Sequence, residues 1–204
     1  MKVWITRSEP GASRQARALE AARYRCLIAP VLEIEPVAGG VPAGVFDLAI
    51  FLSEHAVRLG LPALVLGGAR VLAAGARTAE VLAAMGYRAV QPARADSEGL
   101  LALPVLADVA GRRILLVCGE GGRMLLAETL VARGARVERF VCYRRRVVAT
   151  IAEDLTAVDA IVAGSAEGVT GVARFWFAGG GSADVPLLAA TSRSIAGPRW
   201  KICW

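Results

Sequence analysis

Asp47-Leu48-Ala49-Ile50-Phe51-Leu52-Ser53 is an acidic residue, an apolar run and a small hydroxyl, with Val57 one helical turn beyond. The pattern returns 112 residues later as Asp159-Ala160-Ile161-Val162-Ala163-Gly164-Ser165, with Val169 in the matching place. A short apolar run without polar alternation belongs to a strand covered on both faces, as in a parallel sheet. The hydroxyl residue at its end is an N-cap for the helix that follows. Working outward, a shift of 111 lays Val3-Trp4-Ile5-Thr6 on Ile114-Leu115-Leu116-Val117. Glu9 then falls on Glu120, Gly11 on Gly122, Ala16 on Ala127, Leu19 on Leu130 and Arg25 on Arg136. A weaker third pair sets Val71-Leu72-Ala73-Ala74 against Leu187-Leu188-Ala189-Ala190, with Arg77 opposite Arg193 and Thr78 opposite Ser194. One such pair could arise by chance in an Ala/Leu-rich chain; three in the same order indicate duplication.

Each copy reads as about three β/α units, so the expected fold class is α/β: two similar lobes with parallel sheets flanked by helices. The repeat leaves open which units share a lobe. Two stretches read as linkers, Glu35-Pro36-Val37-Ala38-Gly39-Gly40 and the basic segment 144–149. In finer detail, Ser8 is the expected cap of a first helix over 12–22, with Pro10 in its first turn and Ala16, Leu19 and Ala22 on one face. Tyr143 is expected at the end of a strand formed by Arg139-Phe140-Val141-Cys142.

Composition excludes several classes. Hydrophobic residues are 55% of the 204, ample for a buried core. The richest stretch, 45–75, is interrupted by Asp47, Glu54, Arg58 and Arg70, so no membrane-spanning run of about 18 residues is expected. The N-terminus lacks the apolar core of a secretion signal, and a soluble cytoplasmic protein is the expectation. Cys26, Cys118, Cys142 and Cys203 form no CxxC pair and His55 is the single histidine, which argues against a metal site and for reduced thiols. Net charge is +6, and every cation except Lys2 and Lys201 is arginine. Arginine suits planar anions such as carboxylates, although a GC-rich genome produces the same bias. With aromatics at 6% and no dense basic run beyond Arg144-Arg145-Arg146, no nucleic-acid platform is visible. An acidic small molecule is the better partner.

Gly119-Glu120-Gly121-Gly122-Arg123 follows a strand and opens a helix. It is not a dinucleotide fingerprint, because position 124 is Met124, and no Gly-Lys-Ser/Thr occurs anywhere. Gly121 and Gly122 serve either a tight turn or an anion cradle of free N–H groups. Ser53 and Ser165 are either plain caps or caps that also aim N–H groups at a ligand, and Thr78 repeats the device. Ser97-Glu98-Gly99-Leu100-Leu101 reads as another helix cap. Tyr143 either plugs a contact between lobes or donates a proton, since a phenol of pKa about 10 stays protonated at neutral pH.

These residues, taken in order, resemble the uroporphyrinogen-III synthase family. The series is Ile5-Thr6-Arg7; Asp47 with Ile50-Phe51-Leu52-Ser53 and Ala56-Val57; Gly75-Ala76-Arg77-Thr78-Ala79 with Leu82 and Gly86; Ser97 to Leu101; Gly119 to Arg123 with Leu125-Leu126; Gly134-Ala135; and Tyr143-Arg144-Arg145. The resemblance implies two α/β lobes joined by a two-stranded linker that the chain crosses twice. Residues 1–35 with 149–204 would form one lobe, 41–143 the other, and 36–40 with 144–148 the linkers. It implies a cofactor-free, monomeric lyase acting on hydroxymethylbilane, a linear tetrapyrrole with eight carboxylates. Water leaves ring A, the substituted carbon of ring D attacks, and a spiro intermediate reopens with ring D inverted to give uroporphyrinogen III. Tyr143 matches the family's candidate proton donor. The implied substrate-binding set is Arg7, Ser53, Thr78, Ser97, Gly121, Gly122 and Ser165.

Three departures stand out. Cys118 occupies a place where the family often carries a basic residue, and Arg23 one where glycine usually ends the first helix. The stretch Gly197-Pro198-Arg199-Trp200 leaves little room before Trp204 for a counterpart of the helix over 78–85, which bears on Ser192 and Ser194 as site candidates. Two rival readings follow. One is a non-catalytic synthase-like module that binds a ligand or regulates; the other is a nucleotide-dependent enzyme using the turn at 119–122.

Overall fold

A computed structural model describes residues 1–122, 124–189 and 202–203. Arg123 of the glycine motif and Arg193, Ser192 and Ser194, like the place of the expected last helix, lie outside the described residues. The chain runs β1 (Lys2–Ile5), α1 (Gly11–Ala21), β2 (Arg25–Ile28), β3 (Leu32–Pro36), β4 (Leu48–Phe51), α2 (Glu54–Gly60), β5 (Arg70–Ala73) and α3 (Ala76–Ala84). It continues through α4 (Ser97–Leu101), β6 (Arg113–Gly119), α5 (Leu125–Ala132), β7 (Arg136–Val147), β8 (Ala160–Ala163), α6 (Ala166–Ala178), β9 (Leu187–Ala189) and β10 (Ile202–Cys203). Two compact units result, Met1–Ile34 with Arg146–Trp204, and Glu35–Arg145.

One sheet has the order β10-β9-β8-β1-β2 and the other β3-β7-β6-β4-β5. The pairings β1–β2, β1–β8 and β8–β9 are parallel, as are β4–β5, β4–β6 and β6–β7. The parallel α/β expectation therefore holds. Under the internal repeat β6 answers to β1, β7 to β2, β8 to β4 and β9 to β5. The strand orders β9-β8-β1-β2 and β5-β4-β6-β7 then coincide element for element. Each unit joins two strands of one copy to two of the other: β1 and β2 with β8 and β9, and β4 and β5 with β6 and β7. Duplication produced two equivalent units by exchange of halves.

The repeated aspartates make the exchange physically specific. Asp47 donates its N–H to the Arg113 carbonyl at 2.9 Å, and its carboxylate accepts the Arg113 N–H at 2.8 Å. Asp159 does the same to Lys2, at 2.9 and 2.6 Å. Each carboxylate thus satisfies the first N–H of the partner strand, a group that the sheet ladder leaves open at its end. The helix ends agree as well. Gly134 has φ +84° and its repeat counterpart Arg23 has φ +66°, both just after a helix, with the next N–H (Ala135, Tyr24) bonded back to Leu130 and Leu19. Arginine adopts there the left-handed conformation that favours glycine.

Each unit has its own core. In the first, Trp4, Val31, Ile161, Val172, Trp176 and Leu187 pack together. In the second, Ile50, Leu72, Leu100, Ile114, Leu116 and Leu130 do so. Trp4 is fully buried, stacks at 6.3 Å on Trp176, and donates its indole N–H to the Ala29 carbonyl at 2.7 Å. Trp4→Phe removes part of that volume and strands a buried carbonyl. A loss of about 2–4 kcal/mol is expected, read as a lower urea midpoint for the unit that contains it.

Four local expectations are corrected. Ser8 does not cap α1: the N-cap position is Pro10, which has no side-chain cap bond, and the Glu9 carboxylate accepts the Ser13 N–H at 3.2 Å and the Ser13 hydroxyl at 2.7 Å. Carboxylate and hydroxyl both suit a helix start, so the sequence pattern alone could not choose between them. Ala22 lies exposed just past the end of α1 rather than on its buried face, which carries Ala12 and Ala16. The cap of α4 is Asp96, whose carboxylate accepts the Gly99 N–H at 2.7 Å, and Ser97 is the first helical residue. Finally, β7 does not stop at Cys142 but runs through Val147, so Tyr143 sits inside the strand and the three arginines are strand residues. Arg144 pairs there with Glu35 at 2.7 Å, within the basic stretch expected as a linker.

Candidate active site

The site in the second unit starts from a slip in register. Along β6 and β7, Cys118 opposes Val141 but Gly119 opposes Tyr143, so Cys142 is an extra residue at a bulge. Bulges redirect the side chains beside them. Here the slip lets Cys142 and Tyr143, though adjacent, both be buried, each 3% exposed. Cys142 turns its thiol toward the Ala56 and Cys118 carbonyls, at 3.8 and 3.5 Å. Burial, with Cys118 nearby, pushes that thiol up to about 11, so it stays protonated and unreactive near neutrality. The Tyr143 ring lies instead over the backbone of Gly119. A Cβ there would come within 2.5 Å of Tyr143 Cζ, which explains the glycine at the end of β6.

Ser53 caps α2, its Oγ accepting the Ala56 N–H at 3.0 Å. The same Oγ lies 2.9 Å from Tyr143 Oη. The His55 ring is 5.6 Å from the tyrosine ring, and Glu54 is buried beside it in the first turn of α2. Burial pushes the Tyr143 phenol above its ordinary value; the hydrogen bond with Ser53 and the charge of Arg145 pull it back, and the nearby thiols Cys142 and Cys118 push it further up. The phenol is held neutral and protonated.

Tyr143 forms part of the wall of a pocket of about 250 Å³ at the carboxyl ends of β4, β5 and β6, the side on which open α/β sheets bind ligands. Ser97, Gly121 and Gly122 line it too, as do Cys118, Arg139 and Arg145. Gly121 and Gly122 have φ of +72° and +89°, a pair of left-handed residues that only glycine takes up readily. Arg139 donates to the Gly121 carbonyl at 3.3 Å, the Met124 sulfur at 3.3 Å and the Cys118 sulfur at 3.8 Å. None of the three acceptors is a carboxylate. Asp96 also lines the pocket, but its carboxylate holds the Gly99 N–H and the Arg94 guanidinium. The charged residues in its lining are Asp96, Arg139 and Arg145. A phenolic O–H, guanidinium groups and a glycine turn can hold a carboxylate and hand a proton to a leaving oxygen.

Of the expected site residues, this pocket brings together Tyr143, Ser97, Gly121 and Gly122, with Ser53 joined through the phenol. Thr78 is buried at 5% exposure as the third residue of α3 and does not line it. Arg7 and Ser165 belong to the other unit. Arg7 lies over the start of α1, where its Nε would be 2.5 Å from a Cβ on Gly11. Ser165 caps α6 through the Gly168 N–H at 3.0 Å. Arg139 was missed. The only signal for it was a basic residue four places before Tyr143, and nothing in the chain marks the bulge that brings the two to one pocket. Among the described residues no group of three or more His, Cys, Asp or Glu is placed to hold a metal ion, and no helix is long and apolar enough to cross a membrane.

Comparison with known proteins follows the same line. The fold is similar to a mutant uroporphyrinogen III synthase of Thermus thermophilus, with a TM-score of 0.58 at 23% identity over 93% of this chain and 84% of that one. It is also similar to the Helicobacter pylori 26695 uroporphyrinogen-III synthetase, with a TM-score of 0.61 at 14% identity over 92% and 82%. In sequence, the Escherichia coli K12 uroporphyrinogen-III synthase is 33% identical over 160 residues, 71% of this chain and 65% of that protein. The Salmonella typhimurium uroporphyrinogen-III synthase is 43% identical over 107 residues, 48% of this chain and 44% of that protein. The aligned part thus spans less than two thirds of either relative. The family model described as Uroporphyrinogen-III synthase HemD, however, matches residues 13–195, across both units and through every element of the pocket, and the chain belongs to that family.

Proposed function

We propose that the chain cyclises hydroxymethylbilane to uroporphyrinogen III, without a cofactor, in the cytoplasm. The observation that carries this reading is the Tyr143 phenol, hydrogen-bonded to Ser53, at the wall of a pocket that Arg139 and Arg145 also line. The arginines and the glycine turn would receive a carboxylate arm of the substrate. Tyr143 would give its proton to the departing hydroxyl of ring A as the C–O bond breaks, releasing water and leaving an electrophilic azafulvene. The substituted carbon of ring D then forms the new bond to it. The spiro intermediate breaks the bond between ring D and its former neighbour and closes again with ring D reversed, and a proton lost from the ring system restores the phenol. Most of the task is conformational: one folded form of a flexible chain has to be favoured over direct closure.

The test is to supply freshly generated hydroxymethylbilane and separate the oxidised products. Predominant type III isomer, formed faster than spontaneous closure, is the expected result. Type I isomer at the uncatalysed rate would overturn the proposal and leave the non-catalytic binding module as the reading.

A further inference from the structure

Ser53 and Ser165 are the same residue in the two repeats, and as caps they are interchangeable. Their backbone angles are −162°, 165° and −159°, 162°, and each Oγ accepts the N–H three residues on at 3.0 Å. Among the described residues, Ser53 alone of the two has a second contact, to Tyr143 Oη at 2.9 Å. Capping explains both serines; it does not explain that contact.

A serine hydroxyl has one proton and two lone pairs. The Ala56 N–H occupies one lone pair of Ser53 and leaves the serine proton free. If Tyr143 donated to Ser53, the phenol proton would be spent on the wall of the pocket and the serine proton would lack a use. If Ser53 donates to Tyr143, both serine functions are filled and the phenol proton is free to point into the pocket. An oxygen that already accepts a hydrogen bond is also a stronger donor. We propose that Ser53 is a positioning residue for Tyr143: it donates its hydroxyl proton to the phenol oxygen, orients the phenol proton toward the substrate and stabilises the phenolate left behind. The contribution of Ser53 to the reaction is thus through Tyr143 rather than through a substrate carboxylate. The inference rests on Tyr143 acting as the acid only for its catalytic meaning; the hydrogen bond itself is testable without substrate.

The phenol's other neighbours stay constant when Ser53 is changed: His55 on α2, Cys118 on β6, and Cys142 and Arg145 on β7. The chain contains three tyrosines, Tyr24, Tyr87 and Tyr143. Replacing them biosynthetically with 3,5-difluorotyrosine, which ionises well below tyrosine, brings the titration into the range where the protein is folded. The fluorine resonance of position 143 is assigned by its loss in Tyr143→Phe. In Ser53→Ala its titration is expected to move to higher pH by about one unit, a tenfold change in ionisation constant, because the phenolate loses a donor. Ser53→Thr keeps the hydroxyl and is expected to restore the original midpoint. Ser165→Ala loses an equivalent cap in the other unit and is expected to leave the midpoint unchanged, which separates cap loss from the specific contact. An unchanged or lowered midpoint in Ser53→Ala overturns the proposal. Since no turnover is measured, that result is distinct from failure of the isomer assay.

Discussion

Tyr143→Phe is expected to lower kcat about 100-fold, with KM nearly unchanged and the fold intact. General acids contribute roughly 10²–10⁴-fold, and the lower end applies because a water molecule can partly replace a phenol that borders a pocket. Phenylalanine fills the same space over Gly119 and gives up only the hydroxyl contact to Ser53, so unfolding should shift by about 1 kcal/mol. A change confined to kcat is the mark of an interaction made in the transition state rather than in substrate binding. The pH profile provides a second reading. Because burial raises the phenol above its ordinary value, the protonated, competent form persists through neutral and mildly alkaline pH. Activity limited by Tyr143 should fall only as pH climbs through that raised value. A kcat equal to wild type in Tyr143→Phe, in single-turnover measurements that isolate chemistry from product release, would remove Tyr143 from the acid role.

The second large effect is expected from Gly119→Ala, one methyl group placed where the phenol lies. The added carbon would stand 2.5 Å from Tyr143 Cζ, 2.7 Å from Cε2 and 2.9 Å from Oη, all far inside contact distance. Backbone angles are not the obstacle, since Gly119 is not among the residues with positive φ. The ring has to move, and with it goes the 2.9 Å contact to Ser53. Overpacking of this kind costs about 1–3 kcal/mol, and turnover should fall at least as far as in Tyr143→Phe. A double-mutant cycle isolates the cause: in a Tyr143→Ala background the stability cost of Gly119→Ala should largely disappear. If the cost persists there, the clash with the ring is not its origin.

How much of this was legible beforehand differs between fold and site. The apolar runs of β1, β4, β6 and β8 announced buried parallel strands, because a strand covered on both faces has no polar alternation to disguise it. The serines at 53 and 165 announced helix starts, because the cap needs a hydroxyl or carboxylate at one defined position. Neighbouring signals mislead for the same reason: several residue types can serve a helix start, so Ser8 and Ser97 stand out in the chain, although Glu9 and Asp96 accept the first-turn N–H groups there. Within the site, Tyr143, Gly121 and Gly122 could be picked out as candidates by residue type and motif order. Arg139 could not, since arginine is abundant in this chain and its importance comes from where the bulge at Cys142 places the residues around it.

The sequence by itself determined that the chain is duplicated, that its strands are parallel and that glycine is needed at the turn after β6. These follow from local periodicity and backbone conformation, which depend on residues close along the chain. The repeat left open which units share a lobe, and the tertiary structure shows what joins them: Asp47 closes the end of the strand beginning at Arg113 and Asp159 the end of the one beginning at Lys2. The pairing partner of a strand end lies 66 or 157 residues away, and nothing near either aspartate names it. The contact between Ser53 and Tyr143 is of the same kind, 90 residues apart and set by a one-residue slip between two strands. The cap was written in the chain, and the hydrogen bond that turns it toward chemistry was written in the packing.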